Sequence, residues 1–130
     1  MKNSFRSTPQ TTEVLKIAQH LGHATNMEIL KQVQLNFPDL TPTTVHRITS
    51  RLILNGKLQK GPEINGIQLV DGNISSHDHF ICEECNIVKD VNISSHTRDA
   101  IKQEAKLKII PGSLTIYGNC KKCPSGNLPE

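Results

Sequence analysis

Two Cys-x-x-Cys pairs constrain this chain more than any other feature of it: Cys82 with Cys85, and Cys120 with Cys123, separated by 34 residues. Each pair sets two sulfurs on one tight turn, where thiolates reach a tetrahedral zinc ion at about 2.3 Å. A fold that joins both pairs must treat residues 86–119 as a closed excursion, long enough for a strand, a helix and a returning strand. The first 20 residues lack the apolar stretch of an export signal, so a reducing cytoplasm is expected. There, paired Cys-x-x-Cys motifs read as metal sites rather than disulfides. Structural zinc is the favoured reading, with redox dithiols and unrelated buried cysteines as alternatives. Four thiolates leave zinc no open position, which points to scaffolding rather than catalysis.

The chain needs such a staple. Its 130 residues include no Trp, one Tyr and three Phe, so the core must be aliphatic and thin. A partner chain would supply the missing burial. No apolar run approaches the roughly 20 residues of a membrane-spanning helix. Charge is uneven. Residues 1–70 carry eight Lys/Arg against four acids, and residues 71–130 carry seven against eight. A basic half joined to a near-neutral half predicts an anion-facing module and a second module with another task.

Helical spacing of apolar residues predicts helices over 9–21, 25–35 and 41–55. Pro9 and Pro42 suit first helical positions, Thr41 suits an N-cap, and Thr25 with Glu28 forms a capping box. Gly22 and Asn55-Gly56 read as stops. Two β-prone stretches follow, 57–60 and 67–70, around a turn-rich 61–66. Three helices and a two-stranded hairpin in this order predict a winged helix-turn-helix. Its third helix carries Thr43, Thr44, His46, Arg47, Ser50 and Arg51 on the polar side, groups suited to phosphates and base edges. Lys57 and Lys60 are further candidates for phosphate contacts. An ordinary three-helix domain with a solvated polar face is the plain alternative. Beyond it, strands are expected at 80–82, 87–91 and 114–117 and a helix at 95–106. The tail 124–130 reads as loose. The expected class is α+β, with a winged-helix domain over 1–72 and a small α/β dimerisation and metal-binding domain over 73–130.

A second donor set is built from oxygen and nitrogen. His77 and His79 share a face of an extended segment, so two imidazoles can meet one ion. Asp71 precedes them, Asp90 follows, and His23 lies in the turn between the first two helices. Taken one at a time, Asp71, Asp90 and His23 read as solvated or satisfied residues, and the histidine pair divides evenly between metal and structure. Mixed His/carboxylate donors suit Fe(II), Mn(II), Zn(II) or Co(II). No phosphate-binding glycine loop, nucleophile elbow or zinc-deaminase pattern is present in the sequence. A metal-binding hydrolase and a winged-helix protein adaptor are the competing classes.

The segments TPQ (8–10), HATNMEIL (23–30), TVHR (44–47), HDHFICEEC (77–85) and IYGNCKKC (116–123) together resemble the ferric uptake regulator family of metal-dependent bacterial repressors. The resemblance runs along nearly the whole chain. It implies a DNA-binding winged helix, a C-terminal dimerisation domain, and structural zinc on Cys82, Cys85, Cys120 and Cys123. It implies a regulatory site for Fe(II) or Mn(II) at the hinge, on His23, Asp71, His77, His79 and Asp90, whose metal locks the domains in one orientation. Asp90 resembles the peroxide-sensing branch, in which bound Fe(II) reacts with peroxide and a ligand histidine is oxidised, here His23 or His77. An iron-responsive repressor of metal uptake without peroxide sensing is the alternative.

The chain departs from the family pattern at His46, where a Tyr is usual, and at Thr11, where an Arg is usual. Ser76, Thr97 and Leu114 stand where some members carry donors for a further metal, so that site is expected to be missing. The expected partners are a second copy of the chain and a palindromic operator in double-stranded DNA, with no membrane and no small-molecule substrate.

Overall fold

The computed structural model describes residues 7–108, 110 and 112–121. Cys123 and the tail 124–130 therefore lie outside the described residues. The chain divides into two compact units, Met1–Ile74 and Ser75–Glu130.

In the first unit, helices α1 (Pro9–Leu21), α2 (Asn26–Val33) and α3 (Pro42–Leu54) each start on a threonine cap. Thr8 accepts from the N–H of Thr11, Thr25 from that of Glu28 and Thr41 from that of Thr44. Glu28 returns the bond by accepting from the N–H of Thr25 at 2.9 Å. Such caps satisfy N–H groups that no helical carbonyl can reach, and each contributes about 1 kcal/mol. The helices close on an aliphatic core of Val14, Ala18, Ile29, Leu30, Val33, Leu40, Val45 and Leu52, joined by Ala24, Leu58 and Val70. Thr49 is the polar member of this interior, and its hydroxyl donates to Asn26 Oδ1 at 2.9 Å.

The sheet of this unit differs from the expected hairpin. It has three strands in the order β1 (His23–Ala24), β3 (Ile67–Asp71), β2 (Gln59–Ile64), all antiparallel. His23, expected in a turn, belongs to β1. β2 runs on through Gly61 and Pro62, with an irregular register between Lys60 and Glu63 that absorbs both residues. The reversal narrows to Asn65-Gly66, whose φ values of 52° and 79° are those of a tight hairpin turn. Gly72 follows β3 where the chain presses on α1. Its N–H donates to Gly22 O at 2.8 Å, and a Cβ there would stand 2.8 Å from Ala18 O and Gln19 Cα.

The second unit holds β4 (Asp78–Cys82), β5 (Val88–Val91), α4 (Ser95–Ala105) and β6 (Thr115–Gly118). β4 lies in the middle, antiparallel to β5 and parallel to β6. A parallel pair needs a crossover, and α4, capped by Ser94, lies within it. Its interior is slight. Among the described residues of this unit, the buried apolar side chains are Ile81 and Cys82, α4 buries none, and Ile87, Leu107, Ile116 and Tyr117 are exposed.

Candidate metal centres and nucleic-acid face

Strand register places the donors. In the first unit β1 pairs with β3 so that His23 stands opposite Asp71. Their side chains meet with His23 Nε2 3.5 Å from Asp71 Oδ2. Asp71 is 1% exposed. Its other oxygen accepts the N–H of Asn73 at 2.9 Å. A buried carboxylate of this kind is stable only with such donors or a cation beside it.

In the second unit β4 pairs with β5 so that His79 stands opposite Asp90. Asp90 Oδ1 lies 3.5 Å from His77 Nε2 and 3.9 Å from His79 Nε2. The two imidazoles meet edge to face, with centroids 4.6 Å apart. His77 Nδ1 lies 2.6 Å from Ser75 O. A carbonyl can only accept, so Nδ1 carries a proton and Nε2 is the nitrogen turned to the Asp90 side. An ion with bonds of about 2.1 Å holds its donors roughly 3.0–3.4 Å apart. His77 Nε2 and His79 Nε2 stand about 0.1 and 0.5 Å beyond that spacing from Asp90 Oδ1, so a small side-chain adjustment fits this donor set to a small divalent cation. The His23–Asp71 pair has the same chemistry and spacing.

Three cysteines gather at the other end of β4. Cys85 Sγ and Cys120 Sγ are 3.8 Å apart, far beyond a disulfide bond of about 2.05 Å. Bonds of about 2.3 Å at tetrahedral angles place sulfurs near 3.8 Å from each other, so the spacing is that of a zinc thiolate site. Cys82 Sγ accepts three backbone N–H groups, from Cys120 at 3.5 Å and from Cys85 and Glu84 at 3.4 Å each. The N–H groups of Cys120 and Cys85 lead in bringing the Cys82 thiol from 9.0 to about 6, against the opposing effect of burial. The sulfur is thus prepared as an anion before any ion arrives.

The polar side of α3 is open to solvent. Thr43, His46, Arg47, Ser50 and Arg51 are exposed and Thr44 is half-buried, while Lys57 and Lys60 are exposed beyond the helix. One cleft is lined by Thr8, Gln10, Thr11, Thr44, Arg47 and Arg51 from α1 and α3. A second brings His46, Ser50 and Lys60 together with the start of α2 and the β2–β3 turn. The polar partners of the candidate donors, above all Ser75 O and the residues that surround Asp78, were not legible in the sequence. Asp78 had a signal, since it lies between two same-face histidines and so must project to the opposite side of the strand.

A model of the ferric uptake regulator family matches residues 2–117. The chain belongs to the ferric uptake regulator family. Over 127 residues it is 28% identical to the peroxide-responsive repressor PerR of Staphylococcus saprophyticus, covering 93% of this chain and 84% of that one. Its fold is that of the ferric uptake regulator from Francisella tularensis with iron, at a TM-score of 0.75 and 22% identity over 95% of this chain and 98% of that one. It is also similar to a zinc uptake regulator complexed with zinc and DNA, at a TM-score of 0.65 and 23% identity over 95% and 86% of the two chains. No helix among the described residues is long and apolar enough to cross a membrane.

Proposed function

We propose that this ferric uptake regulator family member is a homodimeric, metal-dependent repressor that binds a palindromic DNA operator and senses peroxide through Fe(II) or Mn(II). The carrying observation is the paired register, His23 opposite Asp71 in one unit and His79 opposite Asp90 in the other. Asp71 ends β3 and His77 precedes β4, so five residues connect the two donor sets, six steps along the chain. At about 3.4 Å per residue they are tethered within roughly 20 Å. An ion that takes donors from both sets fixes the relative orientation of the units, and its loss releases them.

In this reading Cys82, Cys85, Cys120 and Cys123 hold structural zinc, while His23, Asp71, His77, His79 and Asp90 hold the regulatory ion. Domain 1–72 binds DNA and domain 73–130 dimerises. The exposed Ile87, Leu107, Ile116 and Tyr117 of a unit with so slight an interior support a second copy as the cover. Each protomer offers α3 to the major groove, with Arg47 and His46 toward base edges and Thr43, Thr44, Ser50, Arg51, Lys57 and Lys60 toward phosphates and nearby groups. Fe(II) held by the His/Asp donors would supply reducing electrons for the cleavage of peroxide. His77, oriented by Ser75 O, and His23, held against Asp71, are the imidazoles exposed to that chemistry.

The test is an operator gel shift on zinc-containing protein, with Mn(II) and after chelation of the weaker ion. A complex that forms only with Mn(II) is expected, and equal binding in both conditions sinks the switch. Peroxide treatment of the Fe(II) form, read by mass spectrometry, should add one oxygen (about 16 Da) to the peptide bearing His23 or His77. No addition favours iron sensing without peroxide chemistry.

A further inference from the structure

Asp78 lies between His77 and His79 in sequence, yet its carboxylate serves neither. Oδ2 accepts the N–H of Ile93 at 3.1 Å. Oδ1 accepts the N–H of Leu114 and Nη1 of Arg98, both at 2.9 Å. Arg98 also donates through Nη2 to Gly112 O at 2.7 Å. One buried carboxylate, 5% exposed, thus ties the start of β4 to the segment after β5, to α4 and to the residue before β6. The same end of β4 is held by two more bonds, His79 N–H to Leu114 O at 2.9 Å and Ser113 Oγ to His77 O at 2.6 Å.

We propose that Arg98 is a positioning residue for the regulatory metal: its fork, spanning Asp78 and Gly112 O, sets the start of β4 so that His77 Nε2 and His79 Nε2 both face Asp90. This rests on the reading of those three side chains as metal donors. A guanidinium suits the task because its donors are fixed in one plane and reach two acceptors at once, whereas an ammonium is a single flexible point charge. Without it, Asp78 is a buried charge with too few donors. The carboxylate then turns toward water, Leu114 and Gly112 lose their anchor, and the backbone that carries both imidazoles shifts. Metal donors tolerate little shift, since bond lengths hold to within about 0.2 Å.

The test uses the full-length, zinc-containing protein and Mn(II) titration. Arg98→Gln should weaken Mn(II) binding by about 10–100-fold, the usual cost when a ligand loses its supporting contacts. Arg98→Lys, which keeps the charge and loses the planar fork, should fall between it and the parent. Lys102→Gln breaks the ion pair of α4 with Asp99, 3.3 Å apart, without touching β4, and should leave Mn(II) affinity unchanged. At saturating Co(II), the ligand-field bands of the histidine site should differ between Arg98→Gln and the parent while zinc content stays equal, which a general loss of stability does not produce. Parent-like Mn(II) affinity and Co(II) bands in Arg98→Gln overturn the proposal and leave the metal reading standing. If Arg98→Gln fails to fold, Arg98→Lys with parent-like affinity overturns it in the same way. A parent protein that binds no Mn(II) overturns both.

Discussion

His23 stands across from Asp71 on a strand only two residues long, with its Nε2 3.5 Å from the carboxylate. Removing either partner should therefore act on metal binding first. Asp71→Asn keeps the shape and removes the charge. It should weaken Mn(II) binding by about a hundredfold or more, beyond the roughly 10–100-fold cost of losing a ligand's hydrogen-bond partner. Calorimetric Mn(II) titration checks this, and operator binding should then require correspondingly more Mn(II).

Gly72 sits where β3 leaves the sheet, and an added Cβ would meet the backbone of α1 at 2.8 Å. Backbone cannot step aside as a flexible side chain can. Gly72→Ala should destabilise the winged-helix unit by about 1–3 kcal/mol, the usual range for overpacking. Thermal unfolding of the zinc-loaded protein would show it as a lowered midpoint. Mn(II) affinity should fall as well, because Asp71 is the adjacent residue.

The Cys82 thiol lies at about 6 instead of 9.0 because backbone N–H groups favour its anion. The sign follows from linkage. A depressed value means stability that is complete above 9.0 and lost as pH falls through 6. Zinc affinity should fall more steeply below that pH, by about one extra proton per ion bound. Competition with a metallochromic chelator between pH 5 and 8 measures the slope. Zinc removal itself should unfold the second unit, whose buried apolar side chains among the described residues are Ile81 and Cys82.

Arg47 on α3 and Lys60 on β2 should separate by mechanism. Arg47→Ala should cost about 1–3 kcal/mol of operator affinity and relax discrimination at one base pair. Lys60→Ala should weaken operator and random DNA alike, lowering the salt slope by about 1. Anisotropy titrations at several salt concentrations distinguish the two.

The helices of the first unit were legible because their signals are local. Thr25 with Glu28, and Thr41 with Pro42, specify helix starts within four residues. The grouping of Cys82, Cys85 and Cys120 was legible for the same reason. β1 was not, since a two-residue strand has no periodicity, and only its pairing with β3 gives His23 its partner. The strand through Gly61 and Pro62 was hidden because both residues ordinarily signal turns, and here they occupy an irregularity within β2. The Asp78–Arg98 pair spans 20 residues, and nothing local to either side chain announces the other.

β4 presents an imidazole at His79 and a thiolate at Cys82, three residues apart on one strand. Under the proposed mechanism the sensor therefore cannot outlast the scaffold. Stripping the sulfurs of their ion slackens the rod that aims the histidines. Whichever centre is damaged, the outcome is derepression, so the molecule errs in the direction that switches its target genes on.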